Sequence, residues 1–246
     1  MTVVLKLGGS LITEKDTRET VDRDALDRAS DVIGSAGVRD LVLVHGGGSF
    51  GHPNAENHGI GRSEGTTDAA SIRVVHDAMG RLQSAVIDSL DAASVPAVPV
   101  RPFSMGFRPT PAGVRLGTDP VEAMVAEGFV PVLHGDVFTT RGAGATVVSG
   151  DELVLALARQ LDVDRVGFCG DVPGVYDDEG AVVPEIRSLP DVRDFLGSAA
   201  TTDVTGGMEA KVRSILEAEI PANVFDLASL EAFLEGRDPG TTIRGG

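Results

Sequence analysis

The stretch VVLKLGGSLITEK, residues 3–15, decides how this chain is read. Valine and leucine dominate its first five residues, and Gly8-Gly9 ends the run. That pattern predicts a short buried strand entering a glycine turn. The stretch also holds Lys6 and Lys15, two of only three lysines in the chain; the third is Lys211, in TGGMEAKV, and the remaining 18 basic residues are arginine. Each lysine stands beside a glycine-rich segment. Lysine is a compact point charge on a flexible stem, whereas arginine is a broad planar fork. A phosphoryl group in transfer spreads its charge over three equatorial oxygens in a crowded space, where a compact ammonium can follow it. We read the three lysines as survivors of selection for a lysine-poor surface, kept where phosphate chemistry needs them.

Working outward, DRDALDRASDVIGSA (22–36) predicts a helix capped by Asp22, with Leu26, Ala29 and Ile33 on one face. LVLVH (41–45) predicts a second buried strand and a long glycine-rich loop after it. Residues 66–93 predict the longest helix, with Ile72, Val75, Met79, Leu82, Val86 and Leu90 at helical spacing. VPAVPV (95–100) and FVPVLHG (129–135) read as strands, and the proline-interrupted stretch 102–118 as a hairpin or irregular excursion. Then come a helix (150–161), a strand (165–170), a helix (207–220), a strand (222–227) and a last helix (229–236). Strand and helix alternate, which predicts an α/β fold: an open αβα sandwich with a mainly parallel sheet between helices. The chain reads as one domain, 1–246, with its best internal boundary near residue 149.

Glycine-rich loops follow strand-like runs at LGGS (7–10), HGGGSFGH (45–52), SGDE (149–152) and CGDVPGVY (169–176). In an open parallel sheet such loops gather at the carboxyl edge and form the ligand site. Glycine lets backbone N–H groups close on phosphate oxygens. A rival reading comes from Gly46, Gly48 and Gly51, which spell the dinucleotide fingerprint of an oxidoreductase. The expected context is a helix entered at once, and HPNAENHGIG with Pro53 argues against one.

Bulk properties narrow the classes. With 246 residues there is length for a sizeable core, and the net charge of −16 speaks against nucleic acid and anionic membranes as partners. Dispersed acids with almost no lysine fit a very salty cytoplasm, where screening removes self-repulsion. The single cysteine, Cys169, fits a reducing cytosol. No apolar run reaches a membrane span, and no signal peptide precedes the first strand. The expected location is cytoplasmic.

Taken together, VVLKLGGSLITEK, LVHGGGSFGHPNA, HGDV, SGDELV, CGDVPGVY and DVTGGMEAKV resemble the amino acid kinase superfamily, from residue 3 to about residue 213. More narrowly, SFGH with His52 resembles isopentenyl phosphate kinases. The resemblance implies that Lys6, Gly8, Gly9 and Ser10 hold the ATP phosphates and that Lys15 stabilises the moving γ-phosphoryl group. It implies that Gly47 contacts the acceptor phosphate and that Gly48 contacts ATP and sits beside the acceptor. His52 would hydrogen-bond the acceptor phosphate, Gly150 would lie beside it, and Asp151 would orient the lysines. Asp171, Gly207 and Lys211 would serve the nucleotide. It further implies ATP and Mg²⁺ as cofactors, isopentenyl phosphate as substrate, an alternative mevalonate route and a homodimer. On this reading 1–148 is the acceptor and phosphate-loop lobe and 149–246 the nucleotide lobe. A fosfomycin-type kinase of the same superfamily is the nearest alternative acceptor reading.

The residues alone support such chemistry. A phosphate monoester is largely ionised at neutral pH, so positioning and charge neutralisation suffice without a strong base. His52 can donate a hydrogen bond to an incoming phosphate, which favours a phosphorylated acceptor over a carboxylate. An apolar acceptor tail needs a pocket near the second loop. Ile72, Val75 and Met79 offer a wall, though the same stripe is equally what core packing requires. Asp136 could assist Mg²⁺ or hold lysines. His45 and His134 read as packing or capping groups, His58 as solvated, and His76 as a neighbour of the apolar stripe. No His/Cys spacing suggests zinc. Gly47 looks open to a bulkier residue.

Overall fold

The computed structural model describes residues 2–110, 113–191 and 207–245. In chain order the regular elements are β1 (Val3–Leu7), α1 (Gly9–Ile12), α2 (Arg23–Ala36), β2 (Leu41–His45), α3 (Gly48–Asn57), α4 (Ala69–Ala92) and β3 (Ala97–Pro99). There follow β4 (Gly106–Phe107), β5 (Arg115–Leu116), α5 (Asp119–Ala126), β6 (Val130–His134), β7 (Asp136–Thr140), β8 (Gly144–Val148) and α6 (Gly150–Gln160). The last are β9 (Arg165–Gly170), β10 (Glu185–Ile186), α7 (Gly207–Ala218), β11 (Ala222–Asp226), α8 (Leu230–Leu234) and β12 (Thr241–Ile243).

Among the described residues the main sheet has eight strands in the order β10-β12-β11-β9-β1-β2-β6-β3. β1 lies near its middle, parallel to β2 on one side and β9 on the other, with Lys6 opposite Val44 and Phe168. The chain runs outward from β1 first in one direction and then in the other, so a crevice opens at the carboxyl ends of the central strands. Only the β11–β12 pairing breaks the parallel pattern. Strand alternation assigns the two faces. Val3, Leu5 and Leu7 pack with Leu26 and Ile33 of α2, Leu82 and Val86 of α4, and Phe233 of α8. Val4 packs on the opposite face with Leu153 and Val154 of α6 and Val212 and Ile215 of α7. Near-continuous apolar strands are what a sheet covered on both faces requires. The αβα expectation is therefore met.

Side-chain caps mark the starts of α2, α4 and α6. Asp22 accepts the Ala25 N–H at the head of α2, and Asp68 accepts from Ala70 and Ser71 at the head of α4. Ser149 and Glu152 form a capping box at the head of α6.

Several expectations change. The long loop predicted after β2 is instead the helix α3, with Pro53 inside it. Proline normally costs a helix the bond to the residue four earlier. Here the freed Ser49 carbonyl accepts the Glu19 N–H at 3.2 Å, so the helix continues. The strand read at 95–100 shortens to β3. β7 and β8 form a separate antiparallel hairpin, so the third glycine loop follows a hairpin strand and not a strand of the main sheet. The 102–118 excursion contains a single turn of 3₁₀ helix (Pro102–Ser104) and the short β4–β5 ladder; residues 111–112 lie outside the described residues. α5, β10 and β12 had no reading in the sequence.

Candidate active site

The crevice is built first from backbone. A Cβ on Gly9 would stand 2.2 Å from the Gly48 nitrogen, and one on Gly46 would stand 2.5 Å from the Gly9 nitrogen. The loops after β1 and β2 thus touch main chain to main chain, which only glycine permits. Gly48 has φ +45°, and a Cβ there would lie 2.1 Å from Thr13 Oγ1. Thr13 is buried and ties the loops together: its Oγ1 donates to the Gly9 carbonyl at 2.8 Å and accepts the Ser49 N–H at 3.0 Å. Gly8 N–H donates to the Cys169 carbonyl at 2.8 Å, fixing the first loop to β9. Gly47 is not the open position expected, since a Cβ there would meet Gly51 Cα at 3.0 Å and Met79 Sδ at 3.3 Å.

Lysines enter this frame from three places. Lys6 Nζ donates to Asp151 Oδ1 at 2.5 Å, with both side chains mostly covered. Gly150 makes room for it, because a Cβ there would lie 3.1 Å from Lys6 Cε. Lys15 Nζ donates to Asp171 Oδ2 at 2.6 Å near the surface. Lys211, one turn into α7, has its Nζ 5.9 Å from the centre of the Phe168 ring, and Phe168 is the strand neighbour of Lys6. Burial pushes the Asp151 carboxyl up, but the charges of Lys6 and Lys211, the Lys6 hydrogen bond and Arg62 outweigh it and leave its pKa below the usual range. Burial likewise raises Asp171, and the hydrogen bond and charge of Lys15, with help from Lys211, bring it below. Both aspartates therefore stay ionised, and the lysines share one electrostatic neighbourhood.

The remaining sequence candidates fall as follows. Ser10 is exposed in α1, and Gly207 is exposed as the first residue of α7; Thr205 and Gly206 before it lie outside the described residues. His52 is exposed on α3, and desolvation by surrounding protein, then the charges of Lys6 and Arg62, hold its pKa below 6.5. Its ring lies within the field of Lys6 and is mainly neutral at pH 7. Val75 and Met79 are core residues, while Ile72 is half-buried against the small cluster of Ala55, Ile60, Val75, Val137 and Ala145. Met79 lies directly under Gly47 and Gly51.

Asp136 holds neither a lysine nor a cluster of acids. It is buried and accepts from His76 Nδ1 at 2.8 Å and from the Val137 N–H at 2.8 Å. Burial raises its pKa, partly offset by His76, whose own pKa is raised chiefly by that hydrogen bond. His45 and His134 sit side by side at the strand ends, fully buried, with ring centres 5.4 Å apart, and each pairs through Nδ1 with the carbonyl of the next glycine. Desolvation takes His45 down to about 4 and His134 well below its ordinary value, so both are neutral. His58 pairs with Ser71 Oγ at 3.0 Å and is half-buried, contrary to the solvated reading.

Thr13, Arg62 and the His76–Asp136 pair carried no sequence signal, because each acts on residues distant in the chain. Among the described residues no three His, Cys, Asp or Glu side chains converge as a metal site, and no helix is long and apolar enough to cross a membrane.

This geometry has known counterparts. The amino acid kinase family model matches residues 1–224. An isopentenyl phosphate kinase of Haloferax volcanii is 52% identical over 99% of this chain and 98% of its own length. One from Methanothermobacter thermautotrophicus is 35% identical over 99% of both chains. A solved isopentenyl phosphate kinase superposes with a TM-score of 0.85 at 30% identity, covering 99% of this chain and 100% of the other. The helix found after Gly48 removes one objection to the dinucleotide reading, but these relatives are kinases and leave it without support. A lysine-lined crevice between glycine loops that touch backbone to backbone, on this fold and with these relatives, places the chain in the amino acid kinase family, among the isopentenyl phosphate kinases.

Proposed function

We propose that the chain transfers the γ-phosphoryl group of ATP to isopentenyl phosphate, giving isopentenyl diphosphate and ADP for isoprenoid synthesis. The observation that carries this reading is the gathering of Lys6, Lys15 and Lys211 around Asp151 and Asp171 at the carboxyl edge. An oxygen of the acceptor phosphate attacks the γ-phosphorus while the bond to ADP breaks. Both reactants are already anionic, so the task is to hold them in line and to neutralise charge. Lys6, with Gly8, Gly9 and Ser10, receives the nucleotide phosphates, and Lys15 leaves Asp171 to follow the moving group. Asp151 keeps Lys6 oriented. Asp171, Gly207 and Lys211 serve the nucleotide. Gly48 lies between the two phosphates, Gly47 and Gly150 flank the acceptor, and His52 donates a hydrogen bond to it. A bound dianion raises the pKa of a neighbouring imidazole, so His52 gains its proton as the acceptor arrives.

Mg²⁺ fits as a companion of ATP. Asp151 and Asp171 are already partnered by lysines, so Mg²⁺ would be held by the nucleotide phosphates, as it commonly is. When bound it neutralises phosphate charge; the protein supplies the rest. The acceptor tail runs toward Ile72, above Val75 and Met79. The lobes 1–148 and 149–246 take acceptor and nucleotide respectively, as a homodimer in the cytoplasm; light scattering at twice the chain mass checks the dimer.

The test is ADP release in high salt with ATP–Mg²⁺, comparing isopentenyl phosphate, fosfomycin, glutamate and no acceptor. The reading expects a selective signal with isopentenyl phosphate, and His52→Ala should weaken acceptor use about tenfold or more while leaving the KM for ATP little changed. A preference for fosfomycin or glutamate overturns the acceptor; unchanged acceptor kinetics remove His52 from the site.

A further inference from the structure

Residues 102–118 deliver one unusual side chain. Arg108 is only 1% exposed in a chain whose surface is otherwise rich in charge. Its Nη2 donates to Glu152 Oε1 at 2.6 Å and to the Val147 carbonyl at 2.9 Å. Its backbone is fixed as well: Arg108 N–H donates to the Thr139 carbonyl at 2.8 Å, and its own carbonyl accepts the Arg141 N–H at 3.0 Å. One guanidinium thus joins the excursion, the β7–β8 hairpin and the first turn of α6.

Burying a guanidinium is costly, and an apolar residue of similar volume would often serve stability better. Its retention calls for a reason beyond stability, and Glu152 supplies one. Glu152 Oε2 accepts from Ser149 N–H at 2.9 Å and from Ser149 Oγ at 3.0 Å, completing the capping box. A capping box needs only one carboxylate oxygen. The other is held by Arg108. The neighbouring residues on the same turn are Gly150, against which the Lys6 stem lies, and Asp151, which holds the Lys6 ammonium. The first turn of α6 is therefore held by Arg108 through Glu152 and by Lys6 through Asp151.

We infer that Arg108 is a positioning residue for phosphoryl transfer, acting through Glu152 on Asp151 and thereby on Lys6. The inference rests on the kinase reading above. Without the clamp the first turn of α6 can rotate or slide, and displacements near 1 Å in a catalytic constellation cost large factors in rate.

The presence of only three lysines makes the test direct. Protein labelled with ¹⁵N and ¹³Cε lysine gives one side-chain signal for each. In Arg108→Gln the Lys6 signal should move while those of Lys15 and Lys211 stay. Turnover should fall about tenfold with both KM values within about twofold, and Arg108→Lys should recover part of it by keeping a charge on Glu152. If Arg108→Gln does not fold, Glu152→Gln carries the test, since it keeps the capping oxygen and loses the charge. An unmoved Lys6 signal with unchanged turnover overturns the inference. So does a joint shift of all three signals with raised KM values, which marks general loosening. A parent that phosphorylates no acceptor overturns the kinase reading instead, and the lysine spectra still decide whether Arg108 sets Lys6.

Discussion

The crevice edge beside β1 and the layer beneath α4 treat polar groups in opposite ways. At the edge, charged side chains remain within reach of solvent and hold one another: Lys6 with Asp151, Lys15 with Asp171. Their frame is backbone against backbone, Gly9 on Gly48 and Gly46 on Gly9. Beneath α4, His45 and His134 are buried and neutral, and Asp136 is buried with His76 as its partner. The edge gathers charges that pair with one another. In the layer below, burial keeps His45 and His134 neutral, while the hydrogen bond to Asp136 raises the pKa of His76. Paired charges and neutral histidines are thus separated by a few residues along the same strands, with His45 ending β2 just before the glycine loop begins.

The comparison breaks most severely if the backbone contact is broken. Gly48→Ala adds a Cβ 2.1 Å from Thr13 Oγ1 and 2.6 Å from the Gly9 carbonyl, at a positive φ. We expect a loss of about 3 kcal/mol or more in denaturant unfolding, from strain and overpacking together. A loss below about 1 kcal/mol would show that the two loops can part freely.

Next in size is the acid side of the buried layer. His45 ordinarily titrates near 6.5 and is held at about 4 in the fold. A depressed histidine contributes stability above 6.5 that is lost as pH falls toward 4. The shift corresponds to about 3 kcal/mol for this group alone. His134 adds to the same limb. His45→Gln, which keeps a donor for the Gly46 carbonyl, should flatten the limb measurably in urea titrations at pH 7 and 5. Parallel profiles for parent and variant would contradict the neutral assignment.

The smallest effect lies on the alkaline side. His76 is raised by Asp136, so its contribution is complete below 6.5 and lost as pH rises through its folded value. Asp136, itself raised, loses stability over a lower window beginning near 3.8. A shallow decline in Tm above pH 6.5 should therefore belong to His76 and vanish in His76→Asn; a decline that persists would move its origin elsewhere.

The same contrast governs what could be read from the sequence. The edge was legible because close backbone approach demands glycine at fixed positions after strands, and because a lysine-poor chain makes each lysine conspicuous. The layer beneath α4 was not, because Asp136 meets His76 across 60 positions, and the Arg108–Glu152 pair at the head of α6, 44 positions apart, was hidden for the same reason. No local pattern announces such pairs. α3 was missed for a different reason. Pro53 argues locally against a helix, and only the distant Glu19 N–H, which takes the freed carbonyl, reverses that argument. The run before SGDE reads as strand-like, but its pairing with the β-rich run before RGAG as a hairpin outside the main sheet has no local signature. Gly47 looked open because Met79, which crowds it, lies on α4.

We propose that lysine survives at these places because its compact charge follows the phosphoryl group. Lys15→Arg tests it most directly, since it keeps the charge and changes only its shape. Steady-state kinetics in high salt should give a kcat below about a tenth of the parent value, a barrier increase above about 1.4 kcal/mol, with the KM for ATP little altered. A kcat within about tenfold of the parent would contradict the claim, because a guanidinium would then do the work of the ammonium.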